Sequence, residues 1–168
     1  MSEKMTQSAL YLTFKLEDEM FSVEVSQVRE ILDFTPITKI PRTPDFVRGV
    51  INVRGSVVPV VDMRLKFGMK GVESTVHTRI VVLEVNQDGE TTVLGALADS
   101  VHDVIELEAD QIEDPPRLGS RWRTEFIKGI GKHNGMFIII LDIDRVFSSD
   151  ELALLDTTST KAPAEETA

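Results

Sequence analysis

The strongest constraint on the fold of this chain is that it repeats itself. Residues 46–67 read FVRGVINVRGSVVPVVDMRLKF, residues 126–147 read FIKGIGKHNGMFIIILDIDRVF, and the two align without a gap at an offset of 80. Phe46 falls on Phe126, Gly49 on Gly129, Gly55 on Gly135, Asp62 on Asp142 and Phe67 on Phe147. A weaker match extends upstream: residues 21–25 lie against 94–98, residues 28–31 against 101–104, and Ile40-Pro41 against Pro115-Pro116. The shared glycines call for tight turns with positive φ.

The pattern inside each copy is mostly strand. Residues 10–16 and 20–25 form a β-rich pair around the polar Glu17-Asp18-Glu19, and residues 79–85 and 91–98 form another around Asn86-Gln87-Asp88-Gly89. Residues 50–53 and 57–61 are β-branched runs, with Pro59 suggesting an edge position or a bulge. Val28, Ile31 and Leu32 stand at helical spacing behind Ser26, which predicts a short helix or an irregular turn. Residues 62–67 and 150–155 read as short helical turns, and residues 136–141 as a buried strand.

Each half thus supplies roughly five short strands, and units of that kind close into barrels to remove their edges. The expected fold is all-β: two related five-stranded, SH3-like barrels with a few short helices. One domain spans residues 9–155, its halves about 9–70 and 76–148. Residues 1–8 read as a flexible N-terminus and 156–168 as a disordered tail. The pattern leaves open whether the barrels exchange strands. Two packed barrels create a groove, a natural place for a partner.

Charge and composition narrow the function. The net charge is −10, which disfavours nucleic acid and anionic membranes. With no Cys, thiolate catalysis and zinc–thiolate sites drop out. The chain lacks an apolar run long enough to span a bilayer and a secretory h-region, so a cytoplasmic location is expected. His77, His102 and His133 lie apart at spacings that suit no metal. Asp142 and Asp144 form a D-x-D, but Asp142 matches Asp62, so a helix cap is expected. The glycines fit no phosphate loop, Ser56 lacks a nucleophile elbow, and Ser120 has no evident His partner. No enzyme, metal or cofactor is expected. Glu30, on a short amphipathic segment, and Arg54, in a turn between apolar strands, admit two readings: a solvated pair worth under ~1 kcal/mol, or the polar rim of an apolar groove.

At these residues the sequence resembles the CheW family. TPDFVRGVINVRGSVVPVVDMRLKF is similar to the central signature of that family, and EMFSVEVSQVREI, GALADSVHDVIEL and FIKGIGKHNGMFIIILDIDRVF match it in order, so that the resemblance runs from Leu10 to about Leu155. It implies two SH3-like barrels and an adaptor role in chemotaxis. The partners would be methyl-accepting chemoreceptors and the regulatory domain of the histidine kinase CheA, with ring assembly at the inner face of receptor arrays. It implies receptor-binding residues Val28, Glu30, Ile31, Arg54 and Val104, groove-shaping Gly49 and Gly95, and kinase contacts at Ile112, Glu113, Arg117 and Leu118. The loop IEDPPRL varies in the family, so charge-specific contacts there are not implied. An adaptor of a non-flagellar chemosensory pathway is the near alternative, and an SH3- or OB-like nucleic-acid-binding module the distant one. A CheV-type protein would need a receiver domain, for which this chain is too short.

Overall fold

The computed structural model describes residues 8–115 and 126–155. In chain order the elements are β1 (Ser8–Leu16), β2 (Glu19–Glu24), a 3-10 turn (Val25–Gln27), β3 (Val28–Asp33), β4 (Val47–Val53), β5 (Ser56–Asp62) and α1 (Met63–Lys66). The second copy follows as β6 (Arg79–Gln87), β7 (Glu90–Ala98), β8 (Ser100–Glu108), a 3-10 turn (Ala109–Gln111), β9 (Ile112–Glu113), β10 (Ile127–His133), β11 (Met136–Leu141) and α2 (Ile143–Val146). Residues 149–155 close the described chain as a helical segment.

The strands form two sheets, in the orders β3-β6-β7-β5-β4 and β8-β1-β2-β11-β10-β9. Under the repeat β3 maps to β8, β4 to β10 and β5 to β11, while the hairpins β1–β2 and β6–β7 change places. The halves therefore exchange hairpins. Each barrel takes its two central strands from the other half, and each hairpin docks with a parallel pairing, β2 on β11 and β7 on β5. Both barrels close the same way. Past β3, Thr38 bridges Val50 of β4. Past β8, Glu113 of β9 pairs with Ile130 of β10, and residues 50 and 130 are repeat equivalents.

Three apolar clusters result. Ile51, Val58, Val60, Ile80, Val82 and Leu97 fill the first barrel. Tyr11, Ile105, Leu107, Ile138 and Ile140 fill the second. The largest lies between the barrels, where the outer faces of the exchanged hairpins meet: Leu12, Phe14, Phe21 and Val23 from one, Val81, Leu83, Leu94 and Ala96 from the other. Alternation along each strand builds this arrangement, one parity facing the barrel interior and the other the junction. Leu152 and Leu155 of the terminal segment pack on the junction too. The repeated phenylalanines pack across the halves with tilted rings, Phe46 against Phe147 and Phe67 against Phe126, with centroids 5.9 and 5.8 Å apart.

Several expectations need correction. Residues 28–33 are strand, not helix. A bulge between Val28 and Glu30 absorbs one residue, so Val28 and Ile31 both lie opposite junction residues, Leu83 and Val81. A bulged strand therefore imitates the three-residue spacing of a helix. Pro59 sits in a strand paired on both sides. Its partner Val50 turns its own N–H and C=O to Thr38, so the missing N–H of Pro59 would face β7, where pairing begins only at Val60. Gly55 and Gly135 do occupy turns with positive φ, +88° and +77°. Gly49 and Gly129 instead sit at equivalent bulges against the barrel-closing segments. Asp62 caps α1, accepting from the N–H groups of Arg64 and Leu65, whereas Asp142 makes no such bond at α2.

One repeat substitution leaves a flaw. Ser22, opposite Ile140, stands where the other copy has Gly95, opposite Val60. Its hydroxyl is fully buried and has no partner among the described residues. A desolvated, unbonded hydroxyl costs ~1–3 kcal/mol, so Ser22→Ala is expected to raise stability by about 1 kcal/mol. Urea unfolding would show it as a higher midpoint at unchanged slope. A loss of stability would mean that the hydroxyl has a partner.

Candidate functional site

Apart from two buried glycines, the residues singled out by sequence that the structure describes fall on two surfaces. The first is the border of the junction between the barrels. Val28 packs against the junction cluster from the first barrel. Ile31 follows on the same strand, 42% exposed. Val104 is its repeat equivalent on β8 in the second barrel, lies opposite the buried Leu12, and is 54% exposed. Large apolar side chains this open beside a rigid apolar cluster are the residue types that a partner surface covers.

Glu30 belongs to the other parity of β3. It pairs with Val82, whose side chain lies inside the first barrel, and so points to the barrel mouth. There Arg54 reaches it, Nη1 to Oε2, at 2.9 Å. Arg54 occupies the β4–β5 turn with φ 52° beside Gly55, and its side chain is 79% exposed. The pair spans the seam between β3 and the tip of the β4–β5 hairpin. Arg29 on the same strand is held by Glu84. The border thus alternates open apolar side chains with oriented charges.

Gly49 and Gly95 share one row across the first barrel, both in register with Val60. A Cβ on Gly95 would lie 2.7 Å from a methyl of Ile80, inside the barrel, and one on Gly49 would lie 2.0 Å from the carbonyl oxygen of Thr38. Both let the strands of the first barrel approach closely. Neither presents a surface to a partner.

The second surface is the end of the second barrel. Ile112 packs against the barrel interior from β9, and Glu113 pairs with Lys132 of β10 at 3.1 Å. Arg117 and Leu118 lie outside the described residues. Near this end Met136 and Phe137 stand open at the β10–β11 tip.

Two arrangements escaped the sequence reading because their partners are distant in the chain. Arg64 on α1 is buried and bonds Asp99 with both Nε and Nη2, reaches Glu17 through Nη1 at 3.4 Å, and donates to the Lys70 carbonyl at 3.1 Å. The hydrogen bond to Asp99 holds the guanidinium pKa above its ordinary value, although burial opposes it. At the equivalent position on α2, Asp144 accepts from Gln27 and from the backbone of Asn86, both at 2.8 Å. Each helix thus carries one polar residue that pins the tip of an exchanged hairpin and the crossover between barrels. The second arrangement is Lys66, whose ammonium lies 5.3–5.8 Å from the ring centres of Phe46, Phe126 and Phe147 and pairs with Glu151 at 3.1 Å. It borders a cleft of about 710 Å³ whose lining includes none of the candidate receptor- or kinase-binding residues.

His77 falls in the connection before β6, His102 on β8 beside Ser100, and His133 at the end of β10. No helix among the described residues is long and apolar enough to cross a membrane.

Comparison with known proteins agrees with the fold. Residues 10–151 match the CheW-like domain model. The chain is 37% identical to the chemotaxis protein CheW of Klebsiella aerogenes, over 87% of this chain and 86% of that one. It is 36% identical to the chemotaxis protein CheW of Rhizobium meliloti, over 88% and 97%. The crystal structure of the scaffolding protein TtCheW from Thermoanaerobacter tengcongensis superposes with a TM-score of 0.75 at 32% identity, covering 86% of this chain and 91% of that one.

Proposed function

The chain belongs to the CheW-like domain family and is a chemotaxis coupling scaffold, and from that premise we propose that it joins methyl-accepting chemoreceptors to the regulatory domain of the histidine kinase CheA without chemistry of its own. The observation that carries the receptor side is the junction border: Ile31 and Val104 open to solvent beside the packed junction, with the Glu30–Arg54 pair at the adjoining seam. An amphipathic helix reads such a surface, its apolar stripe on the valines and isoleucine and its polar groups on the ion pair. The kinase side falls at the end of the second barrel, around Ile112 and Glu113, and the family resemblance adds Arg117 and Leu118, which lie outside the described residues. The protein then works in the cytoplasm at the inner face of receptor arrays, where alternation with kinase domains builds rings. A scaffold that bound both signalling states equally would transmit nothing, so its contacts must differ between them.

Calorimetric titration with the regulatory domain of CheA from the same organism tests the reading, and saturable one-to-one binding is the expected result. The Arg54→Glu variant then separates the two surfaces. It sets two carboxylates against each other at the seam. An exposed pair is worth under about 1 kcal/mol to the fold, so the fold and kinase binding should persist while receptor affinity falls about tenfold or more. Unchanged receptor control of kinase activity in this variant would count against the assignment. Absence of kinase-domain binding by the folded wild type would move the protein to another partner.

A further inference from the structure

The groove proposed above has two apolar flanks, Val28 on the first barrel and Val104 on the second, and the strand pairing shows what lies between them. Tyr11 of β1 pairs with Glu24 of β2. Continued by one residue, that register carries Leu10 towards Val25, which opens the 3-10 turn leading into Val28 and packs on the junction cluster. On its other side β1 pairs with β8: Leu10 stands opposite Glu106, and Leu12 opposite Val104. Alternation puts Leu10 on the junction face with Leu12, whereas Ala9 and Tyr11 point into the second barrel. Directly opposite residues of an antiparallel pair share a face, and diagonal neighbours reach one another. Val28, Val25, Leu10 and Val104 thus form one apolar strip that crosses from barrel to barrel. Leu12 beneath it is buried, yet Leu10 is 49% exposed.

Charge orders the far end of the strip. Glu106 shares its face with Leu10 and Val104. Its carboxylate accepts from Ser8 at 2.8 Å and is joined to no base among the described residues. Arg29 and Arg54, the bases beside the first flank, are each neutralised by a glutamate. The second flank is left with a net negative edge, in a chain of net charge −10.

We infer, resting on the receptor reading above, that Leu10 and Val25 complete the docking groove between Val28 and Val104, and that Glu106 selects a receptor helix with a Lys or Arg beside its apolar stripe. The apolar strip sets where the helix lies. The glutamate sets its direction and its salt dependence, since an exposed interfacial charge is screened by added salt.

The test titrates a soluble helical-hairpin fragment of a receptor from the same organism into the wild type and the Leu10→Ser, Glu106→Lys and Arg54→Glu variants. Each is also titrated with the kinase regulatory domain as a control for folding. Both new positions are exposed, so kinase binding should persist. The inference expects Leu10→Ser to weaken receptor binding about fivefold to tenfold. It expects Glu106→Lys to weaken it at least about threefold and to flatten its dependence on salt. Suppose Arg54→Glu weakens binding while both new variants stay within about twofold of wild type: the inference is then wrong and the receptor reading stands. Tighter binding by Glu106→Lys would also overturn it, by showing an acidic helix face. If the wild type binds the kinase domain and not the receptor fragment, the receptor reading fails and the inference with it.

Discussion

Replacing Gly49 by alanine is expected to cost about 3 kcal/mol or more of stability. Gly49 has φ +144°, a conformation that side chains rarely adopt, and an added Cβ would come within 2.0 Å of the Thr38 carbonyl oxygen and 2.7 Å of its carbon. That oxygen accepts from Val50 at 2.8 Å, and the Thr38 N–H donates back to Val50 at 2.9 Å. These two bonds form the bridge by which the first barrel closes. No side-chain adjustment relieves a clash with backbone, so the bridge itself must move. Gly129→Ala should cost less, because a methyl of Ile112 at 2.5 Å can turn away in part and the backbone obstacle, the Glu113 carbonyl oxygen, stands at 2.9 Å. Gly55→Ala should cost only about 1 kcal/mol, since φ is +88° but nothing lies within 4 Å. Urea unfolding of the three variants should order them Gly49, Gly129, Gly55. A Gly49→Ala midpoint near that of wild type would show that barrel closure does not depend on the bridge.

Arg64→Ala should cost about 2–3 kcal/mol, because removing the buried guanidinium strands a partly buried carboxylate. That carboxylate is Asp99. Besides the guanidinium it accepts from the Glu17 N–H at 2.7 Å, while its own N–H donates to Lys15 at 2.9 Å. Without Arg64 the crossover from β7 to β8 and the tip of the β1–β2 hairpin would share an unneutralised carboxylate. Arg64→Lys keeps the charge and loses the two-pronged geometry, so an intermediate loss is expected. The counterpart at the other crossover, Asp144→Ala, removes hydrogen bonds to Gln27 and Asn86 and should cost about 1–2 kcal/mol. Thermal and urea unfolding of these variants would measure the difference. A loss under about 1 kcal/mol for Arg64→Ala would place this network with ordinary surface pairs.

The candidate site could be named from sequence because its residues lie in short windows that carry the family resemblance. Arg54 sits in a glycine turn between apolar runs, and Val28, Glu30 and Ile31 share one segment. What the windows could not supply was the partner. Glu30 and Arg54 meet only because the barrel brings β3 beside the β4–β5 tip, and Leu10 joins Val104 only because β1 inserts next to β8. Arg64 and Asp144 escaped notice for the same reason, their contacts lying in another half of the chain.

The sequence by itself determined the repeat, most of the strands and the turns at Gly55 and Gly135, but not β3, whose bulge imitates a helical spacing. Alternation, β-branching and positive-φ glycines are local properties, and a duplication at an offset of 80 residues states them twice. It also named the family, because the residues around Gly49, Arg54, Gly55 and Asp62 are contiguous. Only the tertiary structure decided which hairpin completes which barrel. Both hairpins offer one face to a barrel interior and one to the junction, so the repeat fits equally well with each half closed on itself. The exchange is specified by contacts that no repeat contains. These are the parallel pairings of β2 with β11 and β7 with β5, the junction cluster between the hairpins, and the opposite charges of Arg64 and Asp144 that hold the two crossovers. Pairing between residues far apart in the chain is fixed by whole-surface burial and by single polar matches, and neither leaves a mark in a window of ten residues.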